Sequence, residues 1–153
     1  MAGNFLDRHF DEIAVGDRFV SRGRTITETD IVSWCALTGD WYVLHSDAHY
    51  AARTRFGQRL APGLMILAFA AGLGVPADAP AIVANCGTDQ LRFVAPTVIG
   101  DTLHLESAVK AKMPRREGRD GVVTLAWNMV NQNGALVMAS DLQILMSCKG
   151  AGN

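Results

Sequence analysis

The sequence has no excess of charge of either sign. It carries 14 basic and 15 acidic residues among 153, which gives a formal net charge of −1. Nucleic acids and anionic membranes are bound through clusters of lysine and arginine, so this balance argues against both as broad partners. A hydrophobic fraction of 49% with 19% charged residues indicates instead a globular chain that forms one domain over residues 1–153.

Cysteine is scarce, and its spacing is not that of a metal site. Cys35, Cys86 and Cys148 form an odd, widely separated set with no Cys-x-x-Cys pair. Disulfide frameworks use even numbers of cysteines, and zinc sites use closely spaced ones. We therefore expect reduced, mostly buried thiols in an intracellular protein, with no metal and no cofactor.

Long hydrophobic segments are also missing. Six charged side chains lie within the first twenty residues, which leaves no apolar region for a secretory signal. Residues 60–77 carry no charge, but prolines and glycines leave only 64–71 unbroken, far short of the roughly 20 residues that a membrane helix needs. The sequence thus predicts a cytoplasmic protein without a membrane anchor.

The first half of the chain reads as a strand followed by helices. A strand is expected over 19–26. Thr27 is a suitable N-cap for a helix that runs to about Leu37 and ends at Gly39. Ser46 is a second candidate N-cap, for a short helix through Ala52. Pro62 then marks the start of a helix over about 62–74, whose apolar residues on every side predict a helix surrounded by other parts of the fold.

The second half changes to strand character. Strand candidates rich in β-branched residues and leucine cover 81–93, 102–112, 122–131 and 136–146. Asn133-Gly134 is a strong hairpin signal between the last two. An antiparallel sheet wrapped around one central apolar helix, an α+β arrangement, is the fold that this order predicts.

The most informative residues are Asp40 and His45, which lie five positions apart in a largely apolar stretch after the first helix. Ionisable groups in apolar surroundings are costly unless they are paired or used. A carboxylate and an imidazole on one loop can move a proton to or from water near neutral pH. The alternative is a turn aspartate and a hydrogen-bonded histidine that only order the loop.

Several motifs occur in an order that resembles the MaoC-like family of hotdog-fold proteins, which includes the (R)-specific enoyl-CoA hydratases. They span roughly 10–146: the segment 10–17, the Thr-x-Thr-Glu-x-Asp entry to the first helix, the Gly-Asp and Leu-His-x-Asp element at 39–47, the approach to the long helix at 56–64, and Phe-x-x-Pro followed by Gly-Asp at 93–101. The resemblance implies a hotdog fold, an acyl thioester of coenzyme A or acyl carrier protein as substrate, and a homodimer or higher homo-oligomer with the acyl tail at its interface.

The resemblance also implies roles for individual residues. Asp40 would be the general base, and His45 would orient the water or relay its proton. The amide of Gly63, the first one free after Pro62, would stabilise the thioester oxygen. Tyr42 would be a substrate contact, although core or interface packing is the more common role for such an aromatic.

Some positions differ from the family pattern. Tyr42 and Val43 replace an Asn-Pro pair, Pro62 replaces a frequent histidine, and Ala71 aligns with a serine of some hydratases. Three functions therefore remain open: a hydratase or dehydratase of acyl thioesters, a hotdog thioesterase, and a non-catalytic acyl-CoA-binding protein.

Basic residues at 110–119 could bind coenzyme A phosphates, but a solvated hairpin tip is the simpler interpretation. Cys35 is expected to be an inert core thiol.

Overall fold

A long antiparallel sheet curves around one side of an apolar helix in the computed structural model, which describes residues 3–115 and 118–150. Two single-turn 3₁₀ helices, Phe5–Asp7 and Phe10–Glu12, come first. The sheet contains β1 (Arg18–Val20), β2 (Arg24–Thr25), β3 (Ile82–Phe93), β4 (Thr102–Arg115), β5 (Asp120–Val130) and β6 (Leu136–Ser147). The helices are α1 (Glu28–Thr38), α2 (Val43–Ser46), α3 (Ala48–Ala52) and α4 (Gly63–Gly74).

The strands run in the spatial order β1-β4-β5-β6-β3, all pairs antiparallel, and β2 also pairs with β4. On β4, β5 and β6 alternate side chains are buried, as expected for strands with one face on the core. Among the described residues β3 pairs only with β6, so it is an edge of the sheet. This arrangement confirms the predicted α+β fold.

Helix α1 follows its predicted signals. Thr27 and Asp30 form a capping box, in which the Thr27 hydroxyl accepts from the Asp30 amide and the Asp30 carboxylate accepts from the Thr27 amide. At the other end Gly39 has a φ of 77° and closes the helix in the left-handed conformation. The predicted boundaries of this helix are confirmed.

Two local predictions are wrong. The expected strand over 19–26 is divided into β1 and β2, because the Ser21 hydroxyl accepts from the Leu105 amide and takes the place of a regular ladder bond. Ser46 is not an N-cap but the last residue of α2. The adjacent Asp47 caps α3 and accepts from the Tyr50 amide at 2.8 Å.

The expectation that α4 is surrounded is also wrong for the single chain. Met65, Ile66 and Ala70 are buried against the sheet, but Leu64 is 59% exposed and Ala71 is exposed as well. The sheet covers only one side of the helix, so an apolar face remains open. No helix within 3–115 or 118–150 is both long and apolar enough to cross a membrane.

Candidate active site

Asp40 lies directly after the end of α1. The Gly39 amide donates to the Cys35 carbonyl at 2.8 Å, and the Asp40 amide lies 3.3 Å from the Thr38 hydroxyl oxygen. These bonds fix the backbone at Asp40 while its side chain stays exposed. Its carboxylate makes no hydrogen bond or ion pair with any described residue, so it is available to a ligand.

His45 lies on α2 and is half-buried. Its Nδ1 is 2.8 Å from the carbonyl oxygen of Leu60. A carbonyl oxygen can only accept, so Nδ1 carries a proton; whenever the ring is neutral, Nε2 is then the nitrogen with the free lone pair. The Leu60 amide donates back to the Leu44 carbonyl at 3.1 Å, which ties the two loops together and fixes the ring orientation.

Gly63 begins α4 and presents free backbone donors. Pro62 is the N-cap, and its carbonyl accepts from the amides of Met65 and Ile66. The amides of Gly63 and Leu64 have no hydrogen-bond partner within the described parts of the chain. Free N–H groups at a helix start, together with the helix dipole, favour an oxygen that carries negative charge.

His45 and Gly63 line the same cavity of about 360 Å³. Most of its other walls are apolar side chains from α4, the end of β3 and the loops around them. The lining residues are His45, Arg55, Phe56, Leu60, Ala61, Gly63, Ile66, Phe93, Val94, Ala95, Pro96, Thr97 and Val137. The structure therefore brings together two of the four predicted site residues.

Asp40 and Tyr42 do not line this cavity. Tyr42 is 57% exposed, and its ring meets the His45 ring edge-on with centroids 5.7 Å apart. Tyr42 is thus a neighbour of the histidine and not part of the cavity wall. Asp40 is joined to His45 through only four intervening residues, but its carboxylate forms no hydrogen bond or ion pair with the imidazole.

Two lining residues that were not among the predicted site residues affect the chemistry and shape of the cavity. Arg55 is the only ionisable lining residue besides His45; its guanidinium lies 4.9 Å from the Phe56 ring centroid and makes no ion pair with a described residue. Phe93 lies so close to Gly63 that three of its ring carbons are 2.8–2.9 Å from where a Cβ on Gly63 would stand. Phe93 opens the predicted Phe-x-x-Pro motif, but nothing in that motif shows which way the ring points.

A second cavity of about 350 Å³ lies between the open face of α4 and the sheet. None of the described residues that line it has an ionisable side chain. Its lining residues are Leu64, Leu67, Ala68, Ala71, Val75, Ile82, Asn85, Thr88, Trp127, Leu142 and Ile144. Leu64 directly follows Gly63, so each cavity has a lining residue in the first turn of α4.

The remaining candidates have structural explanations. Cys35 is 1% exposed, and burial, followed by the negative charge of Asp40, raises the pKa of its thiol, which fits the expected inert thiol. Cys86 is exposed, contrary to the expectation of mostly buried cysteines. Lys110 pairs with Asp141 at 2.5 Å, and Lys112 donates to the Ile13 carbonyl, so each already has a partner within the fold.

The other members of the basic group at 110–119 are exposed where they are described, and Arg116 lies outside the described residues. No cluster of three or more potential metal ligands occurs in the part of the chain that the structure describes.

Comparison with known proteins gives a consistent family. The MaoC like domain matches residues 12–130. Protein MaoC of Klebsiella aerogenes is 36% identical over 78% of this chain, but the match spans only 36% of that protein's length. A 3-hydroxybutyryl-CoA dehydratase of Methylorubrum extorquens is 34% identical over 71% of this chain and 68% of its own length. An (R)-specific enoyl-CoA hydratase of Rhodospirillum rubrum is 32% identical over 76% of this chain and 79% of its own length.

Solved structures agree in fold. An Archaeoglobus protein described as a monoamine oxidase regulatory protein superimposes with a TM-score of 0.85 at 32% identity, covering 92% of this chain and 95% of its own. A MaoC-like dehydratase of Rhodospirillum rubrum gives 0.81 at 28% identity, covering 92% and 97%.

Proposed function

The chain belongs to the MaoC-like domain family, and from that premise we propose that it is a hydratase or dehydratase of acyl thioesters. The reaction would add water to a trans-2-enoyl thioester to give the 3-hydroxyacyl thioester, or run in reverse. Similarity to a protein named 3-hydroxybutyryl-CoA dehydratase and to one named (R)-specific enoyl-CoA hydratase supports this class. The expected cytoplasmic location is part of the same proposal.

His45 would act on the attacking water. Its Nε2 has the free lone pair, and its Nδ1–H is held by the Leu60 carbonyl, so the ring can accept a hydrogen bond from a water in the cavity. Asp40, the expected general base, would approach the same water from the adjacent loop. The support for Asp40 is its free, exposed carboxylate; the support for His45 is its place in the cavity wall.

The bonds of the step balance without a cofactor. The base removes a proton from water as the water oxygen bonds to the β-carbon. The electron pair of the double bond moves through the α-carbon onto the thioester oxygen. That enolate collapses as the α-carbon takes up a proton, and Asp40 and His45 together supply and receive the two protons as a coupled pair.

The amide of Gly63 would stabilise the thioester oxygen as it gains charge. Its N–H has no partner among the described residues, and it lies at the positive end of α4 in the cavity that contains His45. A preorganised donor in a largely apolar cavity is the arrangement that stabilises an enolate. The side chain of Tyr42 would pack against the substrate or His45 at the cavity's outer edge.

The acyl tail would lie in the second, apolar cavity. This cavity begins beside Leu64 and follows the open face of α4 past Ala68 and Ala71. A second copy of the chain would cover that face and the edge of β3, because an apolar surface of this kind is costly to leave in water. The proposed enzyme is therefore a homodimer or higher homo-oligomer.

The observation that carries the proposal is that an oriented imidazole and the helix-start residue Gly63, whose amide is free, line one cavity. The test is loss of enoyl absorbance with crotonyl-CoA and with one longer trans-2-enoyl-CoA. Asp40→Asn and His45→Ala should each lower kcat about 10²–10⁴-fold while leaving Tm nearly unchanged. Asp78→Asn and His49→Ala are matched controls, because both side chains are exposed and lie outside the cavity.

Three outcomes separate the alternatives. Loss of absorbance without free thiol, abolished by either variant, supports the hydratase. Release of free thiol, detected by a thiol reagent, would indicate a thioesterase. Ligand-dependent stabilisation with no turnover of either kind would indicate a non-catalytic binding protein. Unfolding of the Asp40 or His45 variant would instead favour a structural role for that residue.

A further inference from the structure

A β-bulge in β3 determines where Phe93 points. Asp89 pairs with Asp141, and Arg92 pairs with Ala139. Three steps along β3 therefore match two steps along β6, so β3 contains one extra residue there. Gln90 lies in this interval and has a φ of 53°, the only positive value at a non-glycine residue in the described chain. A bulge of this type reverses the alternation of the side chains that follow it.

The reversal places Phe93 on the concave face of the sheet. Its partner on β6 is Met138, which is fully buried, and directly paired residues of an antiparallel sheet lie on the same face. Asp89 pairs with the half-buried Asp141 on the other face. With regular alternation from Asp89, Phe93 would share that outer face and could not reach α4.

On the concave face the Phe93 ring covers the start of α4. Its atoms Cδ2, Cε2 and Cζ lie 2.8–2.9 Å from the position of a Cβ on Gly63. Phe93 also lines the cavity that contains His45, and it is 47% exposed. The ring is thus the side chain that bounds the space immediately beside the free Gly63 amide.

We propose that Phe93 selects against acyl thioesters with a substituent on the α-carbon. The inference rests on the proposed function, because a thioester oxygen held by the Gly63 amide leaves the α-carbon one bond from the carbonyl carbon and next to the Phe93 ring. A linear enoyl group fits beside the ring, whereas an α-methyl group meets it. Strain in a residue such as Gln90 is commonly maintained beside a functional site, and here it orients the selecting side chain.

The test compares linear and α-branched ligands in pairs. Crotonyl-CoA and tiglyl-CoA, its α-methyl counterpart, report turnover; butyryl-CoA and 2-methylbutyryl-CoA have no double bond to hydrate and report binding by calorimetry. Phe93→Ala should raise the branched-to-linear ratio of kcat/KM, and of binding constants, by about tenfold or more, the usual effect of one methyl group in an apolar site. Phe93→Leu should give a smaller rise and guards against loss of folding in the alanine variant.

Phe56→Ala is the matched control, since the same truncation is made in another ring of the same cavity. An unchanged ratio in folded Phe93 variants, or an equal rise in Phe56→Ala, would overturn the inference. The binding pair separates this result from failure of the proposed reaction. If the branched-to-linear binding ratio depends on Phe93 but no turnover is seen, selection by Phe93 stands and the hydratase proposal fails. If turnover is seen but the Phe93 variants leave the branched-to-linear ratio unaltered, the hydratase proposal stands and selection by Phe93 fails.

Discussion

The amide of Gly39 donates to the carbonyl of Cys35 at 2.8 Å and ends α1 one residue before Asp40. The φ of 77° at Gly39 is one that residues with a Cβ adopt at a cost of about 1–2 kcal/mol. This single backbone conformation therefore ends the helix immediately before the proposed general base, which then lies in the loop between α1 and α2.

Gly39→Ala should weaken both stability and activity. No atom lies within 4 Å of a Cβ at this position, so the cost comes from the backbone alone, about 1–2 kcal/mol. Tm should fall by roughly 2–8 °C for a chain of this size. Turnover should fall further than the lost stability explains, because Asp40 is displaced. Gly39→Asn, which tolerates this conformation better, should recover most of both, and equal losses in the two variants would contradict the explanation.

Gly63→Ala should destabilise the protein by about 1–3 kcal/mol through overpacking. The new Cβ would stand 2.8 Å from the Phe93 ring. Combining it with Phe93→Leu should restore Tm, since the smaller side chain makes room. Measuring activity separates two possible roles of Gly63, which are to leave space for the thioester and to pack against Phe93. If the double variant is stable yet inactive, the space above Gly63 is needed by the thioester; full recovery of turnover would mean that the glycine serves packing only.

Asp30 should make stability depend on pH in the acid range. Burial opposes its ionisation, but hydrogen bonds from Thr27 and the Arg24 guanidinium outweigh burial and lower the pKa below its ordinary 3.8. The folded state thus favours the ionised form. Its contribution is complete above about pH 4 and is lost as the pH falls through the lowered pKa. Asp30→Asn should therefore lower Tm at neutral pH, and the difference in Tm from wild type should shrink as the pH falls below about 4.

Cys35 should resist alkylation until the protein unfolds. Its thiol is buried, and both burial and the charge of Asp40 raise its pKa. Iodoacetamide near neutral pH, followed by peptide mass spectrometry, should label Cys35 only in denaturant, with Cys86 as the exposed reference. Labelling of Cys35 in the folded protein at the rate of Cys86 would show an accessible thiol and reopen its role as a nucleophile.

The elements that local chemistry specifies could be predicted from the sequence. Thr27 and Gly39 mark the ends of α1 because capping and left-handed glycine depend on neighbouring backbone groups alone. The same holds for the turn between β5 and β6, where the Asn131 side chain accepts from the amides of Asn133 and Ala135, and Gly134 adopts a φ of 76°.

The features that depend on distant residues could not be predicted. Nothing about glutamine indicates that Gln90 takes a positive φ, and without that bulge the direction of Phe93 is read wrongly. Ser46 and Asp47 are adjacent residues with similar capping ability, and only the packing of the loop decides between them. The open face of α4 has the composition of a buried surface, and composition does not say whether the same chain or a second copy buries it.

The residues of the candidate site likewise fall into those that the sequence predicts and those that it does not. The positions of Asp40, His45 and Gly63 follow from motif order, and the structure places two of the three in one cavity. Arg55 could not be predicted because it is one of three arginines within residues 53–59, and nothing in the sequence distinguishes it from Arg53 and Arg59. That the side chain lines the cavity depends on the turn formed by Thr54 and Gly57, where the Gly57 amide donates to the Thr54 carbonyl.

The imidazole of His45 is oriented by a backbone group, which is present whatever the side chain at that position. Its Nδ1–H donates to the backbone carbonyl of Leu60, not to a side chain. Any amino acid at position 60 supplies the same acceptor, so point mutation there can alter packing but cannot delete the bond. The orientation of the imidazole is therefore robust to mutation at the residue that holds it, and only changes that shift the loop itself can release the ring.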